Sequence, residues 1–570
     1  MAHPQTSFSS TVFTSPTFIY RRRETAYKNT LPYQLDILKS TGRYDAFKLQ
    51  WHECNSDKPD VWPDGYLNIH FTVVEREKRW SNLRDLHELY NAGHLIEGAL
   101  AHKKCFGNDL LMGPILKYVD LICTTFGPGP DQKHGYPGHP EIELALMRLY
   151  EETKNPKHFA LAEYFWEERG DPKGRDGRHY YDVEAEARGD KENERPAYCP
   201  KVKILLYQQA HQPILEQQTI EGHSVRAMYL LTRLADLVRT DGPSNDKTNP
   251  RMNALKSLWG NMVDKKWEGF GIEYFLPSST DEGGCYAETC ASIGVMMLAE
   301  RLLQVELDGS YADIIELNFS NAVMTGMSAT GKQFTYVNQL ASSDKDLSKS
   351  AKWFTCASCP PNVTRLLGYI GGYIWNYAAE EQKGALVNIH LYTSAVLSIP
   401  VGDRTIDFEV RNAENVETTM KVRIPELSNA QVEKGYLTLP AEWTRQNPKF
   451  QLNIPLDVVA LARGPIVYCA EDFDNAWVDD HFKSLAVDPA CTISESNIND
   501  VAIGEPYYGL TVHNGASLLE VPSDLRPQLS LGSSPQDRKS SIEKLHFVPY
   551  VLRGNRGGKG HMRVGLRRSR

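Results

Sequence analysis

The sequence predicts a multidomain protein of α and β parts, an α/α barrel followed by one or more β-sandwich domains. Three observations predict it. Between about residues 33 and 380, apolar residues recur at helical spacing in roughly a dozen segments separated by loops. After 380, short β-branched segments punctuated by turn residues take over. The length, 570 residues, allows two to four domains, and 41% hydrophobic with 24% charged content is that of a globular chain. The expected division is an N-terminal arm over 1–32, a barrel domain over 33–380 and a β-sandwich region over 381–570.

The elements follow in order. Residues 1–32 are polar and rich in Ser, Thr and Arg, which predicts an irregular arm. Segment 81–103 carries Leu83, Leu86, Leu89, Tyr90, His94, Leu95, Ala99 and Leu100 near helical spacing, and 110–124 is a second apolar helix. A Gly/Pro loop ends in His134-Gly135-Tyr136-Pro137-Gly138-His139 and leads into a helix with Leu144, Ala145 and Leu149. Another helix is expected over 156–169. Segment 170–200 is polar and charged, which predicts a long surface insertion. Helices are then expected over 205–216, 219–239, 250–266, 284–307, 312–325 and 361–378. Helices on this scale, with no solenoid period, suggest an α/α barrel with loops at its open end. Strands are expected over 385–393, 395–399, 405–410, 419–424, 436–439, 452–456, 458–462 and 466–470, with closing strands at 547–552 and 561–566.

Charge excludes some partners. A net charge of −9 and a pI near 6.0 suggest neither nucleic acid nor an anionic membrane. No apolar run has the length of a membrane helix. The first residues lack the charged and apolar regions of a signal peptide, and ten scattered cysteines suit reduced thiols, so the expected location is the cytoplasm. Aromatic content of 10%, with 28 Tyr and 10 Trp, suits a sugar-binding cleft as well as a core. A Gly-rich phosphate loop, a dinucleotide fingerprint and the Gly-x-Ser-x-Gly elbow are all absent from the sequence.

Chemistry concentrates in two cysteine stretches, Cys285-Tyr286-Ala287-Glu288-Thr289-Cys290 and Cys356-Ala357-Ser358-Cys359-Pro360-Pro361-Asn362. Each stands at the start of a helix-favouring segment, and the proline pair presets a helix start. Two helix starts can bring Glu288, Cys290, Cys356 and Cys359 together as thiolate and carboxylate ligands for zinc. On spacing alone, buried inert thiols are the alternative. Ahead of them, Glu268 lies between aromatic and glycine residues, where desolvation would raise a carboxyl pKa; a solvated loop carboxylate is the competing reading. His94, His139, His211 and His223 recur at helix ends and favour a polar pocket.

Several stretches together resemble the β-L-arabinofuranosidases of glycoside hydrolase family 127. They are Asn91-Ala-Gly-His94-Leu-Ile-Glu97, Gly135-Tyr-Pro-Gly-His139-Pro-Glu141, Gly222-His223-Ser-Val-Arg226, Glu288-Thr289-Cys290, Cys356-Ala357-Ser358-Cys359-Pro-Pro-Asn362 and Ala462-Arg-Gly-Pro-Ile-Val-Tyr468. The resemblance runs from about 81 to 569. It implies an (α/α)6 barrel followed by β-sandwich domains, and an exo-acting retaining hydrolase using a zinc-bound cysteine as nucleophile and a glutamate as acid/base. It implies Zn²⁺ held by Glu288, Cys290 and Cys359, with the nucleophilic cysteine's place taken here by Ser358. Cys356 is the nearby thiol that would substitute for it. Glu268 matches the acid/base glutamate. Tyr336, within Phe334-Thr-Tyr336-Val-Asn338, resembles a stretch lining the sugar site, and His139 and His211 are expected at the same barrel mouth. A Gly-rich stretch that the family carries before the acid/base residue is missing ahead of Trp267-Glu268. The expected partner is a small carbohydrate and the expected assembly a homodimer. Two other functions stand beside the hydrolase: an impaired, zinc-stabilised sugar-binding homologue, and an inverting hydrolase using Glu268 and Glu273.

Overall fold

The structure, a computed structural model, describes residues 7–46, 65–191, 204–240, 249–265, 274–275, 287–380, 384–408, 418–423, 434–442, 461–519 and 538–568, apart from short gaps inside these ranges. Helices dominate up to Ile374 and strands follow from Trp375. Two helices, Ser224–Thr240 and Thr289–Val305, are buried along almost their whole length, so even their charged residues, Arg226, Arg233, Asp236, Glu300 and Arg301, lie inside. They meet at Gly294, where a Cβ would come within 2.8 Å of Met228 Cβ. Arg301 and Asp236 pair between them at 2.8 Å. Around them, the helices Glu88–Phe106, Met112–Thr125, Ile142–Thr153 and Pro156–Glu168 share a second apolar core built on Leu89, Ile122, Leu146 and Phe165.

Among the described residues, the strands form three separate sheets besides a two-stranded pairing of Gly222–His223 with Tyr274–Phe275. Four strands, Trp375–Glu380, Gly384–Ile389, Thr418–Arg423 and Tyr436–Leu439, lie side by side, with one parallel pair. The largest sheet is built on the long antiparallel pairing of Pro506–Leu519 with Arg538–Pro549, and Thr492–Asn499 joins it along Pro506–His513.

Four expectations need correction. The first 32 residues are not an irregular arm among those described. Thr11–Phe13 is a strand paired with Ala395–Leu397, and Phe18–Thr25 begins a helical run that continues through Ser40. Phe13, Ile19 and Ala26 face the core, few enough to be hidden by the polar composition, and buried Arg22 donates to the Met324 and Ser328 carbonyls. Segment 170–200 is not wholly surface: within it the helix Tyr180–Arg188 buries Tyr181 and Glu184, and Glu184 accepts from the Leu83 and Arg84 amides. The helix expected over 205–216 stops after Ile204–Tyr207: Gln209 takes a positive φ of 52°, which its side-chain Nε2 fixes by donating to the Glu221 and His223 carbonyls. The helix expected to reach 378 gives way at Trp375 to a strand. The strand expected over 452–456, and residues 458–460 of the one expected over 458–462, lie outside the described residues.

The described residues of 326–354 belong to neither class. They are irregular backbone tied to both halves of the molecule. Residue 337 bridges to Glu288, and Ala341 bridges to Arg563 in the C-terminal region. Arg553 donates to the Val337 carbonyl at 3.0 Å and to Ser348 Oγ at 3.2 Å.

Candidate active site and metal centre

Two helix starts build the centre. Glu288 is the residue before the helix Thr289–Val305, in extended conformation, and its side chain makes no capping bond to that helix. Backbone pairing holds it in place: Thr289 N donates to the Tyr336 carbonyl at 3.0 Å, and Asn338 N donates to the Ala287 carbonyl at 2.6 Å. Ser358 stands in the same position before Cys359–Tyr369, whose Pro360 and Pro361 need no partner for a first-turn N–H. The Ser358 hydroxyl also leaves its helix uncapped. It bonds the Tyr336 hydroxyl at 2.8 Å instead. Gly326 lets the two helix starts approach, since a Cβ there would meet Thr289 Cγ2 at 2.6 Å and Val363 Cγ2 at 3.0 Å.

The expected convergence of Glu288, Cys290 and Cys359 is found. All three are buried, and their ligand atoms lie within 4.8 Å of one another. Cys290 Sγ is 3.1 Å from Cys359 Sγ, and Cys359 Sγ is 3.5 Å from Glu288 Oε1. Burial pushes the Cys290 thiol up, but hydrogen bonds with Cys359, Asn362, Ser358 and Glu288 outweigh it and hold the thiol below its usual value. Cys359 goes the other way, raised by burial and by the negative charge of Cys290 and Glu288. A divalent cation that takes both as thiolates, with a carboxylate, fits zinc better than calcium or magnesium, which need oxygen ligands throughout.

Ser358 Oγ is 3.9 Å from Cys290 Sγ, on the edge of this group, whereas Cys356 is exposed. Tyr336 lies at the same point. Burial first, then the charge of Glu288 and the two cysteines, raises its phenol far beyond the ordinary value, so it is a hydrogen-bond donor and not a base.

A histidine wall adjoins the thiols. His139 lies 4.3 Å from the Tyr90 ring, 5.6 Å from Tyr229, 5.8 Å from His223 and 5.9 Å from His87. Tyr90 packs edge-on against His94 at 4.4 Å. Arg365, on the helix that begins at Cys359, donates to the Tyr229 hydroxyl at 3.1 Å and so ties this wall to the helix carrying the thiol. Burial lowers His87 to about 3 and carries His94 and His139 well below the ordinary imidazole range, so all three are neutral at pH 7. Neutral rings with one donor and one acceptor each suit hydroxyl groups better than anions.

Of the pocket candidates, His94, His139 and His223 come together. His211 is half-buried with Glu221 as its charged neighbour, and among the described residues no contact joins it to this wall. Glu268 and Glu273 lie outside the described residues. Sequence reading passed over His87, Tyr90, Tyr229, Asn362 and Arg365. Only the Asn-Ala-Gly-His and Cys-Pro-Pro-Asn strings stood near enough to signal them.

The same chain matches known proteins over most of its length. The model of the β-L-arabinofuranosidase catalytic domain of glycoside hydrolase family 127 covers residues 18–372, and that of the family's C-terminal domain covers 444–567. A non-reducing end β-L-arabinofuranosidase from Bifidobacterium longum subsp. longum is 30% identical over 481 residues, 72% of this chain and 70% of that protein. A crystal structure of a β-L-arabinofuranosidase of the same family from Geobacillus stearothermophilus T6 superposes with a TM-score of 0.81 at 27% identity, covering 98% of this chain and all of that one. A second solved structure, a β-arabinofuranosidase of the family, shares the fold with a TM-score of 0.75 at 23% identity over the whole of this chain and 98% of its own.

Proposed function

The chain belongs to glycoside hydrolase family 127, and from that premise we propose that it is an exo-acting glycosidase releasing non-reducing-end β-L-arabinofuranosyl or closely related residues. The proposal includes an (α/α)6 barrel for the helical part, a β-sandwich for the C-terminal part and zinc as the metal. Glu288, Cys290 and Cys359 would hold the ion. When bound, it would neutralise the buried negative charge of these ligands and keep both sulfurs ionised.

The remaining parts belong to the chain's own side chains. The neutral imidazoles of His94 and His139 receive sugar hydroxyls together with His223, with His211 proposed at the rim of the same mouth. Tyr336 donates to Ser358 or to the sugar oxygen that displaces it. In the retaining reading, Glu268 protonates the leaving oxygen while a nucleophile bonds to the anomeric carbon; Glu268 then takes a proton from the water that cleaves this bond. The nucleophile is the weak part. A serine hydroxyl is far less acidic than a thiol and gives much less anion at neutral pH.

One observation carries both the proposal and its competitor: Ser358, not a thiol, is the group hydrogen-bonded to Tyr336 at the edge of the ligand cluster. It favours a second reading, a zinc-stabilised sugar-binding protein with impaired catalysis. Assay of the zinc-loaded protein on an aryl β-L-arabinofuranoside decides between them. Turnover lost in Ser358→Ala or Cys356→Ala supports the hydrolase and identifies its nucleophile. Sugar binding without turnover supports the second reading.

A further inference from the structure

Behind the histidine wall, His94, Glu97 and Glu141 converge with ligand atoms within 4.8 Å of one another. A cation already stands among them, so this is no second metal site. Arg365 Nη1 lies 2.6 Å from Glu97 Oε2, 3.3 Å from His94 Nδ1 and 3.8 Å from Glu141 Oε1. The other two nitrogens of the guanidinium are also engaged. Nε donates to Asn362 Oδ1 at 3.1 Å, and Nη2 donates to the Tyr229 hydroxyl at 3.1 Å. One planar fork therefore ties four parts of the site: its own helix Cys359–Tyr369, the helix carrying His94 and Glu97, Tyr229 on the central buried helix, and Glu141.

We propose that Arg365 is a positioning residue that fixes which way two neighbours donate, the Asn362 amide toward Cys290 and the His94 imidazole toward the sugar pocket. An asparagine amide has one acceptor oxygen and one donor nitrogen. Arg365 occupies the oxygen, so the hydrogen bond that Asn362 makes with Cys290 comes from its nitrogen. A turned amide would set a carbonyl oxygen, which cannot donate, toward the Cys290 sulfur. A guanidinium has no acceptor, so its bond to His94 requires Nδ1 to be the lone-pair nitrogen and leaves the ring proton on Nε2. Glu141 Oε1 also lies 2.9 Å from Nδ1. Burial pushes this carboxyl up to about 8, so at neutral pH it is protonated and takes no proton from the ring. The side chain of His94 keeps 33% of its surface exposed. Lysine would keep the charge but has no planar fork to reach all these partners at once.

That the pocket receives a sugar rests on the reading above, while the polarity of the two neighbours does not, and the experiment separates them. Arg365→Met and Arg365→Lys are made in the full chain. The tautomer of His94 is read from ¹⁵N-histidine spectra, assigned with His94→Gln, and zinc affinity is read by chelator competition. The wild type is expected to show the Nε2–H tautomer. Folded Arg365→Met is expected to show mixed tautomers and about tenfold or greater loss of zinc affinity, as for other residues that orient a metal ligand. Arg365→Lys is expected to fold like the wild type and still lose both, and it carries the test if the methionine variant does not fold. An Nδ1–H tautomer in the wild type, or unchanged tautomer or zinc affinity in a folded variant, overturns the proposal. Neither readout needs turnover, so an inactive enzyme leaves this result intact and counts only against the hydrolase reading.

Discussion

At position 358 the difference between serine and cysteine is one atom, and it sets the reactivity of the site. The Ser358 hydroxyl already sits within 2.8 Å of Tyr336 and 3.9 Å from Cys290 Sγ, so Ser358→Cys needs no rearrangement to present a sulfur there. The substitution is expected to raise turnover of an aryl β-L-arabinofuranoside at least about tenfold, measured at equal zinc occupancy. Cys290→Ser is expected to reduce zinc from about one per chain to well below half, read by elemental analysis; a metal-free wild type of full stability would overturn the ligand assignment. Glu141 gives a pH test. Its carboxyl is pushed from an ordinary value up to about 8 by burial, so its folded form favours the proton and its contribution to stability is lost as pH rises toward 8. Glu141→Gln is therefore expected to gain thermal stability over the wild type progressively between about pH 5 and pH 8, by differential scanning calorimetry. These ligands were legible because Glu-Thr-Cys and Cys-Pro-Pro-Asn are local strings of unusual chemistry. Arg365 was not: three residues after Asn362, it reads like any solvated helix arginine, and only the fold shows that its neighbours are His94, Glu97 and Tyr229.

Elements reach the site by close approach, and glycine makes the approach possible. Gly326→Ala is expected to wedge Thr289 from Val363, cost about 1–3 kcal/mol by denaturant unfolding and weaken zinc retention, because both ligand-bearing helix starts lean on that contact. An unchanged unfolding midpoint would mean that the contact gives way freely. Helices were legible where apolar periodicity ran for three turns or more, as in 110–124 and 156–169, which match Met112–Thr125 and Pro156–Glu168 closely. The strands Thr492–Asn499 and Pro506–Leu519 went unseen. Thr492–Asn499 is exposed or half-exposed along its whole length, so no apolar alternation marks it. Its partner mixes His, Asn and Gly with its apolar residues, and its register shifts between His513 and Ala516.

Over the whole molecule, the C-terminal region supports the site it does not contain. Arg553 holds the Val337 carbonyl, and the next residues along, Asn338 and Tyr336, pair with the Ala287–Thr289 backbone. Arg553→Gln is expected to lower both thermal stability and zinc affinity while leaving the helical content by circular dichroism unchanged; loss of stability with full zinc affinity would confine its role to packing. The division into helical and strand-rich parts was readable from the change of texture near 380, whereas this dependence was not, since residues 337 and 553 are joined only by the fold. A similar long reach occurs at the other end of the chain. The strand Thr11–Phe13 pairs with Ala395–Leu397, and Thr11 also bonds the Gly371 carbonyl and the Trp375 indole. On the ribosome its partner is made roughly 400 residues later, a delay on the order of 20–80 s at about 5–20 residues per second. Throughout that time a nascent edge strand stands open without its partner, so vectorial synthesis, and not the finished packing, sets how long Thr11–Phe13 waits unpaired.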